Sequence, residues 1–192
     1  MESALSIALG IGLSAACGFR VFVPFFVASV ASILGYLPLS EGFEWIGTVP
    51  AVILFGSATL LEIAAYYVPW IDNVLDSIAT PAALVAGIVA AASVMTDLPP
   101  LLRWTVALIG GGGVAGAVQG AMAVVRMGST VLTGGIGNAV VSTGEWVASA
   151  VTSLLAIFLP VAGIVLVVLM LIIGWRSSVK RKEEAAIQRS HQ

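Results

Sequence analysis

Charged side chains are scarce in this chain: they make up 9% of its 192 residues, against 59% hydrophobic ones. Soluble domains carry about 25% charged residues, so this chain cannot cover a water-facing surface and is expected to sit largely in lipid. Its single cysteine, Cys17, excludes an internal disulfide and any cysteine-rich metal or iron–sulfur centre. Its single histidine, His191, lies in the polar tail. That leaves no H-E-x-x-H zinc site and no Ser/His or Cys/His pair, and G-x-S-x-G is absent as well. No nucleotide-binding segment could power a pump. The apolar runs are continuous rather than alternating, which argues against a transmembrane β-barrel. Met1-Glu2-Ser3 lacks the basic start of a secretory signal, so the first apolar run is expected to be retained.

The few charges are unevenly placed. After Trp175, five basic residues (Arg176, Lys180, Arg181, Lys182 and Arg189) face Glu183 and Glu184, while the whole chain is at −2. A basic tail beside a span predicts a cytoplasmic C-terminus. The acidic body argues against nucleic acid as a partner and makes a cation the easier ion to handle.

Five tryptophans mark membrane depth: Trp45, Trp70, Trp104, Trp146 and Trp175 each stand at an end of an apolar run, where indole prefers to lie. The spans drawn from them are Thr48–Val68, Pro81–Met95, Leu101–Val125 and Trp146–Trp175. Thr80-Pro81 reads as a helix start, Asp97–Pro100 as a turn, and Ser142-Thr143-Gly144-Glu145 as a capping box opening the last helix. Pro160 supplies a kink. Ala4–Tyr36 would make one helix of about 50 Å, too long for a single span. Gly18 and Pro24 break it, giving two short helices that either span or re-enter. The fold class is thus all-α, a polytopic bundle of five to six membrane helices with a broken or re-entrant N-terminal pair. Residues 1–175 form one transmembrane domain and 176–192 a basic cytoplasmic tail. Tyr67–Thr80 and Met127–Glu145 are expected to be outward loops, and Pro38–Gly47 an inward one.

Ionisable residues in so oily a chain are the candidates for function. Arg20 interrupts "AACGFRVFVPFF". Glu62 lies inside a span, either as a functional carboxylate or as a structural partner for Arg20. Asp72 and Asp76 stand one helical turn apart and could hold a hard cation or pass a proton, or else form the wet face of an interfacial helix. Capping alone accounts for Glu145. Its Gly/Ser/Thr/Asn-rich loop, which contains Asn138 and Ser142, could fold back and offer backbone groups to a substrate. Gly112, Gly116 and Gly120 recur every four residues, a stripe for close helix packing with Gln119 beside it.

Three segments, "GFRVFVP", "LLEIAAYYVPWIDNVLDSI" and "TGGIGNAVVSTGEW", resemble the motif regions of a family of small bacterial multi-pass membrane proteins, the domain-of-unknown-function family four-one-two-six. The resemblance runs over residues 5 to 175. The positions that match are Gly18, Arg20, Pro24, Glu62, Pro69, Asp72, Asp76, Asn138, Ser142 and Glu145. Trp146 departs from the pattern, standing where many relatives carry an acid. The resemblance implies an architecture and a list of site residues, not a mechanism.

The leading expectation is a small transporter or channel-like protein of the inner membrane. In it, Arg20 recognises an anionic group or neutralises Glu62, and Glu62 is the coupling carboxylate. The interior is thin for a transporter, which suggests a homo-oligomer. No cofactor and no resident metal are expected. The partners are the bilayer and a small ion or molecule. Two alternatives stand beside this one: a non-catalytic membrane factor that binds lipid or assists assembly, and a metal-assisted enzyme acting on lipid head groups through Asp72 and Asp76. Polar groups confined to two wet surfaces would favour the first alternative over transport.

Overall fold

The computed structural model describes residues 2–67, 69–134, 136–160, 169 and 172, with the side chains of 2, 69–74, 76 and 77 outside that description. The described residues form helices and turns and contain no strand. In chain order the helices are α1 (Glu2–Phe19), α2 (Phe22–Ile33), α3 (Val49–Ala65), α4 (Pro69–Val94), α5 (Pro100–Thr133) and α6 (Asn138–Phe158), with a 3₁₀ turn at Glu44–Gly47.

Helix α1 is the central post. It packs against α4, α5 and α6, while α2 packs on α3 and α6. Small residues make this possible. A Cβ on Gly12 would come within 2.6 Å of Ala156 Cβ, and one on Gly18 within 2.6 Å of Ala115 O. Backbones that close can exchange hydrogen bonds through short hydroxyls. The Ser14 hydroxyl lies 2.7 Å from Gly87 O on α4, and Ser149 Oγ on α6 donates to Ala16 O at 2.9 Å.

The break expected between Gly18 and Pro24 falls at Arg20-Val21, between α1 and α2. Pro24 sits in the first turn of α2, where its missing N–H costs nothing. Thr48 caps α3, its hydroxyl accepting from Ala51 N at 3.4 Å, and Pro100 opens α5 after the Asp97–Pro100 turn.

Several expectations are corrected. Thr80-Pro81 does not start a helix: α4 runs from Pro69 through Pro81, which leaves only the Ser77 carbonyl without its usual donor. The segment 67–80 is therefore mostly helical rather than a loop. Met127–Glu145 is not a loop either. α5 continues to Thr133, Gly134 closes it with φ 62°, and α6 begins at Asn138. With Ser142 and Glu145 inside α6, the proposed capping box does not exist. In the last span α6 ends at Phe158 and Leu159 leaves helical geometry just ahead of Pro160, where a kink was expected. Most of the chain beyond Pro160, including the basic tail, lies outside the described residues.

The glycine stripe is also partly corrected. Gly112 faces Ile88 and Gly116 faces Leu84, but a Cβ on Gly120 would meet nothing. The closest approach of this helix's glycines to another helix's backbone is at Gly111, where a Cβ would fall 2.8 Å from Gly87 O and 2.9 Å from Ser14 Oγ. Here α5 widens into a π-turn, Ala107–Gly111, with Gly112 N–H reaching back to Ala107 O. A run of four glycines, 110–113, frees the backbone to take that form.

Among the described residues, two helices are long and apolar enough to cross a membrane: Pro100–Thr133, 34 residues with mean hydropathy 1.6, and Asn138–Phe158, 21 residues with mean hydropathy 1.4. Shorter apolar helices accompany them at Ser3–Phe19, Phe22–Ile33, Val49–Ala65 and Ile78–Val94. Leu60, Leu61, Leu101, Ile109, Val131 and Leu132 all point outward with most of their surface open. An apolar exterior of this kind fits a membrane protein.

Candidate functional site: a buried arginine pair on one carboxylate

Four elements bring charged or aromatic side chains to one place. Arg20 comes from the α1–α2 break, Tyr66 from the residue ending α3, Arg126 from α5, and Ser142 and Glu145 from α6. Ser142 and Glu145 are three residues apart and so share a face of α6. Each of the five is almost wholly buried.

Glu145 is held between two guanidinium groups. Arg126 engages it twice, with Nε donating to Oε1 at 2.8 Å and Nη2 to Oε2. Nη2 of Arg20 reaches the same Oε2 at 2.8 Å. That nitrogen also donates to Ser142 Oγ at 2.9 Å. Both guanidinium carbons lie against the Tyr66 ring, Arg20 Cζ at 3.6 Å and Arg126 Cζ at 4.4 Å from its centroid. The ring face is the negative part of the aromatic quadrupole and steadies both cations.

Glu62 lies beside this cluster but does not pair with Arg20 in the way expected. Its carboxylate spans the N-terminus of α2, accepting from Val21 N at 2.9 Å and from Phe22 N at 3.1 Å. A charge from α3 thus caps α2 and meets the positive end of its helix dipole. This fixes the backbone immediately after Arg20.

Arg126 lies seven residues before the end of α5, and Glu145 seven residues after the start of α6. At 1.5 Å per residue the ion pair is about 10 Å in from the α5–α6 turn. Near that turn, Asn138 Nδ2 donates to Thr130 Oγ1 at 3.1 Å, so Asn138 serves the turn and not the cluster. Tyr67 Oη and Thr143 Oγ1, 2.7 Å apart, tie the end of α3 to α6. Asp72 and Asp76 lie one turn apart on the helical backbone of α4, and their side chains are outside the described residues.

Sequence reasoning found Arg20, Ser142 and Glu145 but missed Arg126 and Tyr66. Arg126 carried a usable signal, a guanidinium in "AVVRM", the same anomaly that singled out Arg20. Tyr66 carried none beyond its place in an aromatic pair.

The arrangement offers N–H donors, hydroxyls and carboxylates with no evident nucleophile–base pair. Among the described residues, no three His, Cys, Asp or Glu side chains gather as a metal site would require. The chain belongs to the family described as Domain of unknown function (DUF4126), which matches residues 7–180. No curated protein and no solved structure matches it.

Proposed function

We propose that the chain is a small membrane transporter or channel-like protein whose polar site is the Arg20–Glu145–Arg126 cluster. In this reading five to six helices span the inner membrane, with the α1–α2 pair broken at Arg20. Residues 1–175 form the membrane domain, the basic tail faces the cytoplasm, and two or more copies assemble. The observation that carries the reading is convergence. Side chains from four elements meet about 10 Å inside a helical bundle with an apolar exterior. Ionisable groups at such depth are costly and mark substrate or ion pathways. Glu62 couples the site to movement, because the carboxylate that caps α2 also sets the backbone of Arg20.

The test is flux through sealed proteoliposomes under imposed gradients of potassium, protons, chloride, phosphate and acetate. Wild type should exceed protein-free vesicles for at least one of these, and Glu62→Gln should reduce that rate. Rates equal to those of protein-free vesicles for all five would overturn the reading.

One observation favours the lipid-binding alternative. A cleft of about 620 Å³ opens between α2, α3 and α4, lined by Val21, Phe25, Trp45, Phe55, Pro81 and Val85. Its walls are apolar and suit an acyl chain. Retention of labelled phospholipid by purified wild type, and its loss in Val85→Trp, would support that role.

A further inference from the structure

Arg20 is buried at 2% exposure, yet only one of its three nitrogens is engaged. Nη2 serves both Ser142 and Glu145, while Nε and Nη1 have no hydrogen-bond partner. A guanidinium has donors only, and a buried donor without an acceptor is unfavourable. Neighbouring groups do not meet the need. The Tyr66 ring covers the guanidinium face rather than its edge. Both carboxylate oxygens of Glu62 are drawn to the backbone at Val21 and Phe22. Glu145 is already gripped on both oxygens by Arg126.

From this we propose that Nε and Nη1 of Arg20 recognise a small oxyanion, a carboxylate or phosphate group, and that the Arg126–Glu145 pair holds Arg20 in place for it. The three N–H bonds at these nitrogens form charge-assisted contacts with such oxygens and complete the valence of the site. The near-complete burial of Arg20 limits the group to a small one. This deepens the transport reading and rests on it for the purpose of the bound anion.

The experiment is thermal unfolding of the delipidated full chain in detergent, followed by tryptophan fluorescence. The probes are sodium phosphate, sodium acetate and a short-chain phosphatidic acid, with sodium chloride at matched ionic strength as reference. A ligand that binds only the folded state raises Tm by mass action. Tm should rise with at least one oxyanion beyond the chloride reference. A response to phosphatidic acid alone assigns the oxyanion to a lipid head group; a response to phosphate or acetate assigns it to a solute. Arg20→Lys keeps the charge but loses the fork, and should weaken the response about tenfold. If that variant does not fold, the arginine Nε–H resonances of wild type read the same contact, and one of them should move with phosphate or acetate. No Tm shift with any of the three probes overturns the proposal, as does an equal response in Arg20→Lys. Binding that needs Arg20 without flux of any of the five ions in vesicles overturns the transport reading and leaves the anion site. Anion flux indifferent to Arg20→Lys does the reverse.

Discussion

The carboxylate of Glu62, near the end of α3, accepts from the backbone N–H groups of Val21 and Phe22 at the start of α2. The two helices are joined by a side chain where a local cap would ordinarily serve, since Val21 has no side-chain acceptor to offer. Glu62→Gln keeps one acceptor oxygen but loses the charge that faces the helix dipole. It should cost about 1–2 kcal/mol, measured by denaturant unfolding in micelles, and Glu62→Ala should cost more.

Glu145 bridges two buried cations, so removing it takes a carboxylate away from both Arg20 and Arg126. Glu145→Leu alone should destabilise by about 3–5 kcal/mol. Combined with Arg126→Met the loss should be smaller than the sum of the two single changes, with a coupling of about 1–3 kcal/mol in a double-mutant cycle. Strict additivity would mean that the pair contributes nothing as a pair.

Glycines of α5 should respond to alanine according to what faces them. Gly111→Ala would drive a methyl into Gly87 O and Ser14 Oγ and should cost about 1–3 kcal/mol. Gly120→Ala meets open space and should be neutral or raise stability by up to about 1 kcal/mol, as helix propensity favours alanine. Thermal melts of the two variants side by side test this.

Cys17 is fully buried in the α1 core. Maleimide labelling of the native protein should be slow, and should accelerate only as the bundle opens in denaturant. Prompt labelling under native conditions would contradict the packing of α1 against α4, α5 and α6.

The break at Arg20 and the turn before Pro100 were legible because each rests on a local rule about glycine or proline, and the helical class because the apolar runs are continuous. The segment 127–145 was not. Its glycines, serines and threonines have the composition of a loop, yet in an apolar setting an unpaired backbone is dearer than a poor helix former. The chain therefore stays helical on both sides of the turn, with Ser142 buried while the Thr133 and Thr143 hydroxyls bond back to carbonyls of their own helices. The same substitution of meanings befell Ser142 and Glu145. Spacing i to i+3 suits a capping box, but inside a helix it equally sets two side chains on one face, and burial decides between the two. Arg126 was overlooked because the end of a span is an ordinary place for an arginine. Only the geometry shows α5 continuing two turns beyond it.

The π-turn at Ala107–Gly111 has a bearing on how this helix tolerates changes in length. Such a turn carries one residue more than its α counterpart. Deleting a single glycine from the run at 110–113 would restore ordinary winding and leave both flanks in phase. An added residue elsewhere between Pro100 and Arg126 would swing the guanidinium by about 100° in azimuth, away from Glu145. The helix thus has one joint at which a codon can be lost without turning its charged side chain out of alignment.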